Sequence, residues 1–174
     1  MLAIASALFV AQAAAAPPAT PPSPCASEGH AQFDFFVGEW DVYPTAATDR
    51  MVARSKWERL YNGCAVRENW MPVNGRGNGG SLNDYDPATG RWHQRWIGSG
   101  GAGHVDFDGG FAGGRMILTG WWPGSGPNGE DGLTRMTYSK LEGGAVRQSG
   151  EFSADHGITW TATFDFTYRP RKGE

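Results

Sequence analysis

The sequence predicts an all-β fold: a single antiparallel up-and-down β-barrel of about nine or ten strands, preceded by a short N-terminal helical turn. Three observations carry this. Short segments that alternate polar with apolar residues follow one another along the chain. They are separated by turn formers, and the 174 residues include 26 Gly. Aromatic residues make up 13% of the chain, which suits pleated strands, and no segment reads as a crossover helix. Closing such a meander into a barrel removes its bare edges, whereas a two-sheet sandwich is the alternative built from the same strands.

The elements follow in order. Phe33, Phe35 and Phe36 form an apolar knot before Gly38, residues 39–43 alternate as a strand, and Pro44 ends it. Residues 51–61 read as the next strand, Asn62-Gly63 as a hairpin turn, and residues 64–71 as the return. A loop at 72–80 leads to a strand at 80–85, a turn at 86–90 and a strand at 91–97. A strand near 104–107 precedes a turn at Asp108-Gly109-Gly110, with short strands near Phe111 and over 115–121. Residues 133–141, 145–153 and 158–168 complete the series.

Residues 1–16 have the uncharged, small-residue character of a secretory signal, with cleavage expected after Ala13 or Ala15. That run is too short to span a bilayer. Proline denies the next stretch both helix and ladder, so residues 17–31 read as a spacer, 32–170 as the barrel and 171–174 as a tail. The expected compartment is the periplasm or the medium, with no membrane span once the signal is gone. In an oxidising compartment the two cysteines, Cys25 and Cys64, are expected to form one disulfide, worth roughly 3 kcal/mol through the unfolded chain. Thiol catalysis is the weaker reading, because no CxxC is present. With 15 Lys plus Arg against 18 Asp plus Glu, and neither sign clustered, a nucleic-acid partner is disfavoured.

Side chains change face at every strand residue, so Trp92, Gln94 and Trp96 share one face, opposite His93, Arg95 and Ile97. The same alternation groups Ser81, Asn83 and Tyr85, and separately Cys64, Val66, Glu68 and Trp70. If these sets point inward, Glu68, Asn83 and Gln94 imply a ligand-accepting lumen, since an unpaired buried polar group costs about 1–3 kcal/mol. The competing reading puts the polar residues outside and leaves the tryptophans as plain core.

Gly38-Glu39-Trp40, opening the first strand, matches the G-x-W signature of lipocalin-like barrels. More widely, QFDFFVGEWDVY, NGC, SLNDYDPATGRWHQRW and DHGITWTATFDFTYR resemble an uncharacterised family of exported bacterial domains with a lipocalin/calycin-like barrel; the resemblance covers residues 32–169. It implies that Arg169 packs over Trp40 at the closed base, with Gly38, Trp40 and Arg169 serving closure. It also implies an interior site at the positions of Glu68, Trp70, Asn83, Tyr85, Trp92, Gln94, Trp96, Arg135 and Gln148. The chain departs from the family at Phe36 and Gly150, where tryptophan is usual or frequent, and in its glycine-rich loops at 75–80 and 98–103. No established reaction accompanies the resemblance.

Other motifs carry little. Gly75-x-Gly77-x-x-Gly80 and Gly98-x-Gly100-x-x-Gly103 lack the following helix that a dinucleotide site needs. His30, His93, His104 and His156 are scattered and read as surface residues, so no metal site is expected. Asp41-Val42-Tyr43 after Trp40 breaks the opening of haem-binding barrels, the Asp and Asn clusters read as turns, and no G-x-S-x-G elbow is present; no cofactor is expected.

Three functions follow. In the first, a small hydrophobic or amphipathic molecule lies against Trp70, Trp92 and Trp96, oriented by Glu68, Asn83, Gln94 and Arg135. In the second, Glu68 is a general acid or base and Arg135 stabilises negative charge, as in a small hydrolase, isomerase or cyclase. In the third, Trp92 and Trp96 lie outside as stacking platforms for sugars.

Overall fold

The computed structural model describes residues 23–100 and 103–171. The expected signal segment and its expected cleavage point, most of the proline-rich stretch and the last three residues of the expected tail lie outside these. Ten strands form one closed antiparallel barrel in which each strand pairs with its neighbours in sequence and β1 pairs with β10. They are β1 (Gly38–Pro44), β2 (Ala53–Leu60), β3 (Ala65–Pro72), β4 (Gly79–Asp86), β5 (Arg91–Gly98), β6 (His104–Ala112), β7 (Arg115–Trp122), β8 (Gly132–Lys140), β9 (Val146–Ser153) and β10 (Thr161–Pro170). Helical structure among the described residues is confined to lone 3-10 turns, the first at Asp34–Phe36.

The up-and-down order gives the barrel two unlike ends. The base holds the start of β1, the tight turns after β2, β4, β6 and β8, and the residues that precede β1. The mouth holds the loops after β1, β3, β5, β7 and β9. The base is sealed by the aromatic knot: Phe33 and Phe36 are completely buried, Phe36 stacks on Trp57 at 4.2 Å between centroids, and Phe33 meets Trp92 edge-on at 5.1 Å. Burial of each phenyl ring contributes about 1.5–3 kcal/mol. Residues 23–31, expected as the end of a spacer, fold back over this end. The Cys25–Cys64 disulfide ties them to the turn after β2, and the Arg59 guanidinium donates to Asp34 at 2.9 Å. His30, expected at the surface, is buried there against Tyr85, with its Nδ1 2.7 Å from the Ser27 hydroxyl.

Two turn assignments change. Leu60 pairs with Ala65, so Tyr61, Asn62, Gly63 and Cys64 all belong to the turn, and the first three have positive φ. The stretch Asp108-Gly109-Gly110, expected as a turn, lies inside β6, and the chain reverses at Gly113-Gly114 instead. A Cβ at Gly109 would stand 1.9 Å from the Ile117 carbonyl oxygen, so glycine here serves a close backbone approach between β6 and β7.

At the start of β1, Gly38 has φ +149, a conformation suited to glycine, with the Trp40 ring 3.7 Å from where a Cβ would be. The Trp40 indole N–H donates to the Phe36 carbonyl at 2.9 Å, which fixes the knot beneath the barrel. Arg169 does not cover this tryptophan. It pairs with Asp41 across the β1–β10 ladder, and its guanidinium lies 4.5 Å from the Tyr43 ring centroid. Asp41, Tyr43 and Arg169 occupy the opposite face from the buried Trp40, Val42 and Tyr168, so alternation alone places this arginine outside.

Candidate functional site

Above the aromatic base the barrel encloses a cavity of about 570 Å³ that opens at the mouth. That volume falls within the roughly 300–1,000 Å³ of small-molecule sites. Its walls are Trp70 of β3, Trp96 of β5, Val105 and Phe107 of β6, Trp122 of β7, Met136 of β8, and Phe164 and Phe166 of β10. Its polar groups are Glu68, Gln94, Tyr138, Gln148 and Tyr168. Gly77, Gly98, Gly100, Gly103 and Gly124 line the opening.

Strand alternation builds the walls. On β5, Trp92 and Gln94 are buried and Trp96 is half-buried, all on the inner face. On β8 the inner residues are Thr134, Met136 and Tyr138; on β3 they are Val66, Glu68 and Trp70. Two rings extend over neighbouring glycines: Trp96 lies over Gly79, and Phe164 of β10 lies over Gly150 of β9, each within 3 Å of where a Cβ would be. Phe164 stands opposite Gly150 across the β9–β10 ladder, next to the irregularity between Ala162 and Phe164, and fills the space that the glycine leaves.

Two hydrogen-bonded chains line the interior. In the first, the Trp57 indole donates to the Ser55 hydroxyl at 3.0 Å, while Ser55 and Ser81 donate to separate oxygens of Glu68 at 3.3 and 3.2 Å. The Asn83 amide donates to the Ser81 hydroxyl at 3.1 Å and to the Val66 carbonyl at 2.9 Å, and Gln94 donates to the Asn83 oxygen at 2.7 Å. In the second, Gln148 donates to the Tyr138 hydroxyl at 3.2 Å and accepts from the Tyr168 hydroxyl. Burial pushes the Glu68 carboxyl up to about 7, against the opposing effect of its two serine hydrogen bonds. Tyr138 and Tyr168 are both pushed up, first by burial and then by the neighbouring Glu68 carboxylate, so both phenols stay neutral.

The sequence-derived residues therefore divide into groups. Glu68, Trp70, Gln94, Trp96 and Gln148 line the cavity. Asn83 is completely buried behind it and holds Gln94 in place. Trp92 and Tyr85 face inward but belong to the base: their rings meet at 5.7 Å, and the Trp92 indole donates to Gln32 at 3.0 Å. Arg135 lies outside the cavity, because it alternates with the inward Thr134 and Met136. Its guanidinium bonds Glu151 at 2.9 Å and lies 4.1 Å from the Trp160 ring centroid. Arg135 is therefore not brought to the cavity that Glu68 lines, and Trp92 and Trp96 are not external platforms.

Trp122, Phe107, Met136, Tyr138, Phe164, Phe166 and Tyr168 were not singled out from sequence. The alternation of β8 carries the signal for Met136 and Tyr138, since both share a parity that excludes Arg135. Among the described residues no three of His, Cys, Asp and Glu converge as a metal site. Fold and site together define a closed antiparallel barrel with an aromatic-walled interior cavity. Comparisons with family models and with curated proteins give no match for the chain.

Proposed function

We propose that this protein is an exported, lipocalin-like carrier that holds a small amphipathic molecule in the upper half of its barrel. The observation that carries the proposal is the cavity of about 570 Å³, whose wall is largely aromatic and whose polar groups gather around Glu68. A solid structural core at close packing leaves no such space. The apolar body of the ligand lies against Trp70, Trp96 and Trp122, and its polar end meets Glu68, Gln94, Tyr138 and Gln148. The disulfide and the uncharged leader support a periplasmic or secreted location, as does the resemblance of GEWDVY and NDYDPATGRWHQRW to exported calycin-like domains.

The test is a survey by mass spectrometry of small molecules that co-purify with the native protein, followed by titration of each into ligand-free protein while tryptophan emission is recorded. A shifted or quenched emission that saturates is expected. Trp96→Ala keeps the fold, costs about 1–2 kcal/mol as a half-buried wall residue rather than the 3–5 kcal/mol of a core one, and weakens binding. An unchanged affinity in Trp96→Ala would remove the cavity from the proposal.

A further inference from the structure

The interior of the barrel carries an acid without a base. Glu68 is buried, each of its oxygens accepts a single serine hydroxyl, and among the described residues no cation pairs with it. Most arginines and lysines of the described strands lie on the outer face, and several pair with carboxylates there: Lys56 with Glu39 and Glu58, Arg67 with Glu58, Arg95 with Asp106, Arg135 with Glu151 and Arg147 with Asp165. Arg59 and Lys140 share the inner parity of their strands but stand at the base end, Arg59 on Asp34 and Lys140 over the Phe35 ring. A carboxylate oxygen has capacity for two hydrogen bonds, so Glu68 keeps acceptor sites facing the cavity. Around that space stand the π-faces of Trp70, Trp96, Trp122, Phe164 and Phe166, which attract a cation and repel an anion.

We propose that the ligand is an organic amine bound as its ammonium ion, with N–H groups donating to Glu68 and an apolar chain or ring filling the aromatic space. This deepens the reading of the barrel as an amphipathic-ligand carrier and rests on it. The ammonium supplies the positive charge that the fold leaves out, which is the condition under which a buried carboxylate ceases to be a liability. An alcohol of the same shape satisfies the hydrogen bond but not the charge, and a fatty acid adds a second anion beside the first.

Protonation couples to this binding. Ser55 of β2 and Ser81 of β4 bond Glu68, Trp57 and Asn83 bond those serines, and Gln94 of β5, Tyr138 of β8, Gln148 of β9 and Tyr168 of β10 line the cavity with it. Only the two tyrosines titrate, and both stay neutral. With Glu68 raised to about 7 by burial, ammonium binding weakens below that pH, because the carboxyl must first lose its proton. An alkylammonium keeps its own charge throughout this range.

The experiment measures calorimetric affinities of n-octylammonium, 1-octanol and octanoate for the full chain at pH 8 and pH 6. Octylammonium is expected to bind at least about tenfold more tightly than octanol at pH 8, with octanoate weakest, and to lose about tenfold between pH 8 and pH 6 while octanol does not change. In Glu68→Gln the preference for octylammonium over octanol and the loss of octylammonium affinity between pH 8 and pH 6 both disappear. The pH profile of the wild type decides the matter even where that variant folds poorly. Equal binding of octylammonium and octanol overturns the amine and leaves the carrier intact. Tightest binding of octanoate does the same. No binding by any of the three overturns both.

Discussion

The base and the upper half of this barrel are built from the same residue types, yet they behave as different materials. In the base, Phe33 and Phe36 fill the space between Trp57, Trp92, Tyr138 and Tyr168, and every one of these rings is buried. In the upper half, Trp70, Trp96, Trp122, Phe164 and Phe166 are only half-buried because no segment enters between them. An aromatic ring on the inner face is therefore core or cavity wall according to what the chain inserts beside it. Here the inserted piece is the turn that precedes β1, and it reaches only the lower layers.

The largest expected effect breaks the base. Phe36→Ala removes the ring stacked on Trp57 and should cost about 3–5 kcal/mol in denaturant unfolding, as for other fully buried phenylalanines. A cost below about 1 kcal/mol would mean that the base is as open as the lumen. Replacing Cys25 and Cys64 together by serine frees a segment closed over 39 residues of separation and should cost roughly 3–4 kcal/mol in the same assay.

The third test separates the two halves by pH. The Glu68 carboxyl titrates at about 7 in the folded protein, against 4.5 when exposed. Below 4.5 both states hold the proton, and the residue carries no pH-linked cost. As pH rises toward 7 the unfolded chain releases a proton that the folded chain keeps, so stability falls by about 3 kcal/mol in all and then levels off. Glu68→Gln removes that slope, so its stability relative to the wild type should grow by about 3 kcal/mol between pH 4 and pH 8. Parallel pH profiles would show that the carboxylate is well solvated. The smallest effect belongs outside the barrel: Arg135→Ala should cost less than about 1 kcal/mol and leave tryptophan emission responses to ligand unchanged.

The fold was legible because alternation and turn chemistry are local properties. The face of Trp92, Gln94 and Trp96, and that of Val66, Glu68 and Trp70, follow from parity along one strand. Depth along the barrel axis does not: Trp92 and Trp96 share a face, but one lies beside Phe33 and the other beside empty space, and that difference depends on a segment 60 residues away, where Gln32 receives the Trp92 indole. Arg135 was misplaced because a resemblance supplied its role, while the parity of its own strand opposed it. Gly109 looked like a turn because the close approach of Ile117, which requires glycine there, comes from the following strand.

The closure of β1 on β10 also has a kinetic consequence. Every other ladder joins strands adjacent in sequence, so it can zip as the chain emerges, whereas Trp40 meets Pro170 only after all the intervening hairpins exist. Until then two bare strand edges persist, and they are the surfaces through which a second unfinished copy would add itself. Phe36 touches both Trp40 of β1 and Tyr168 of β10, so its ring gains its full set of contacts only when that last ladder closes, and the base knot and the closure reinforce each other.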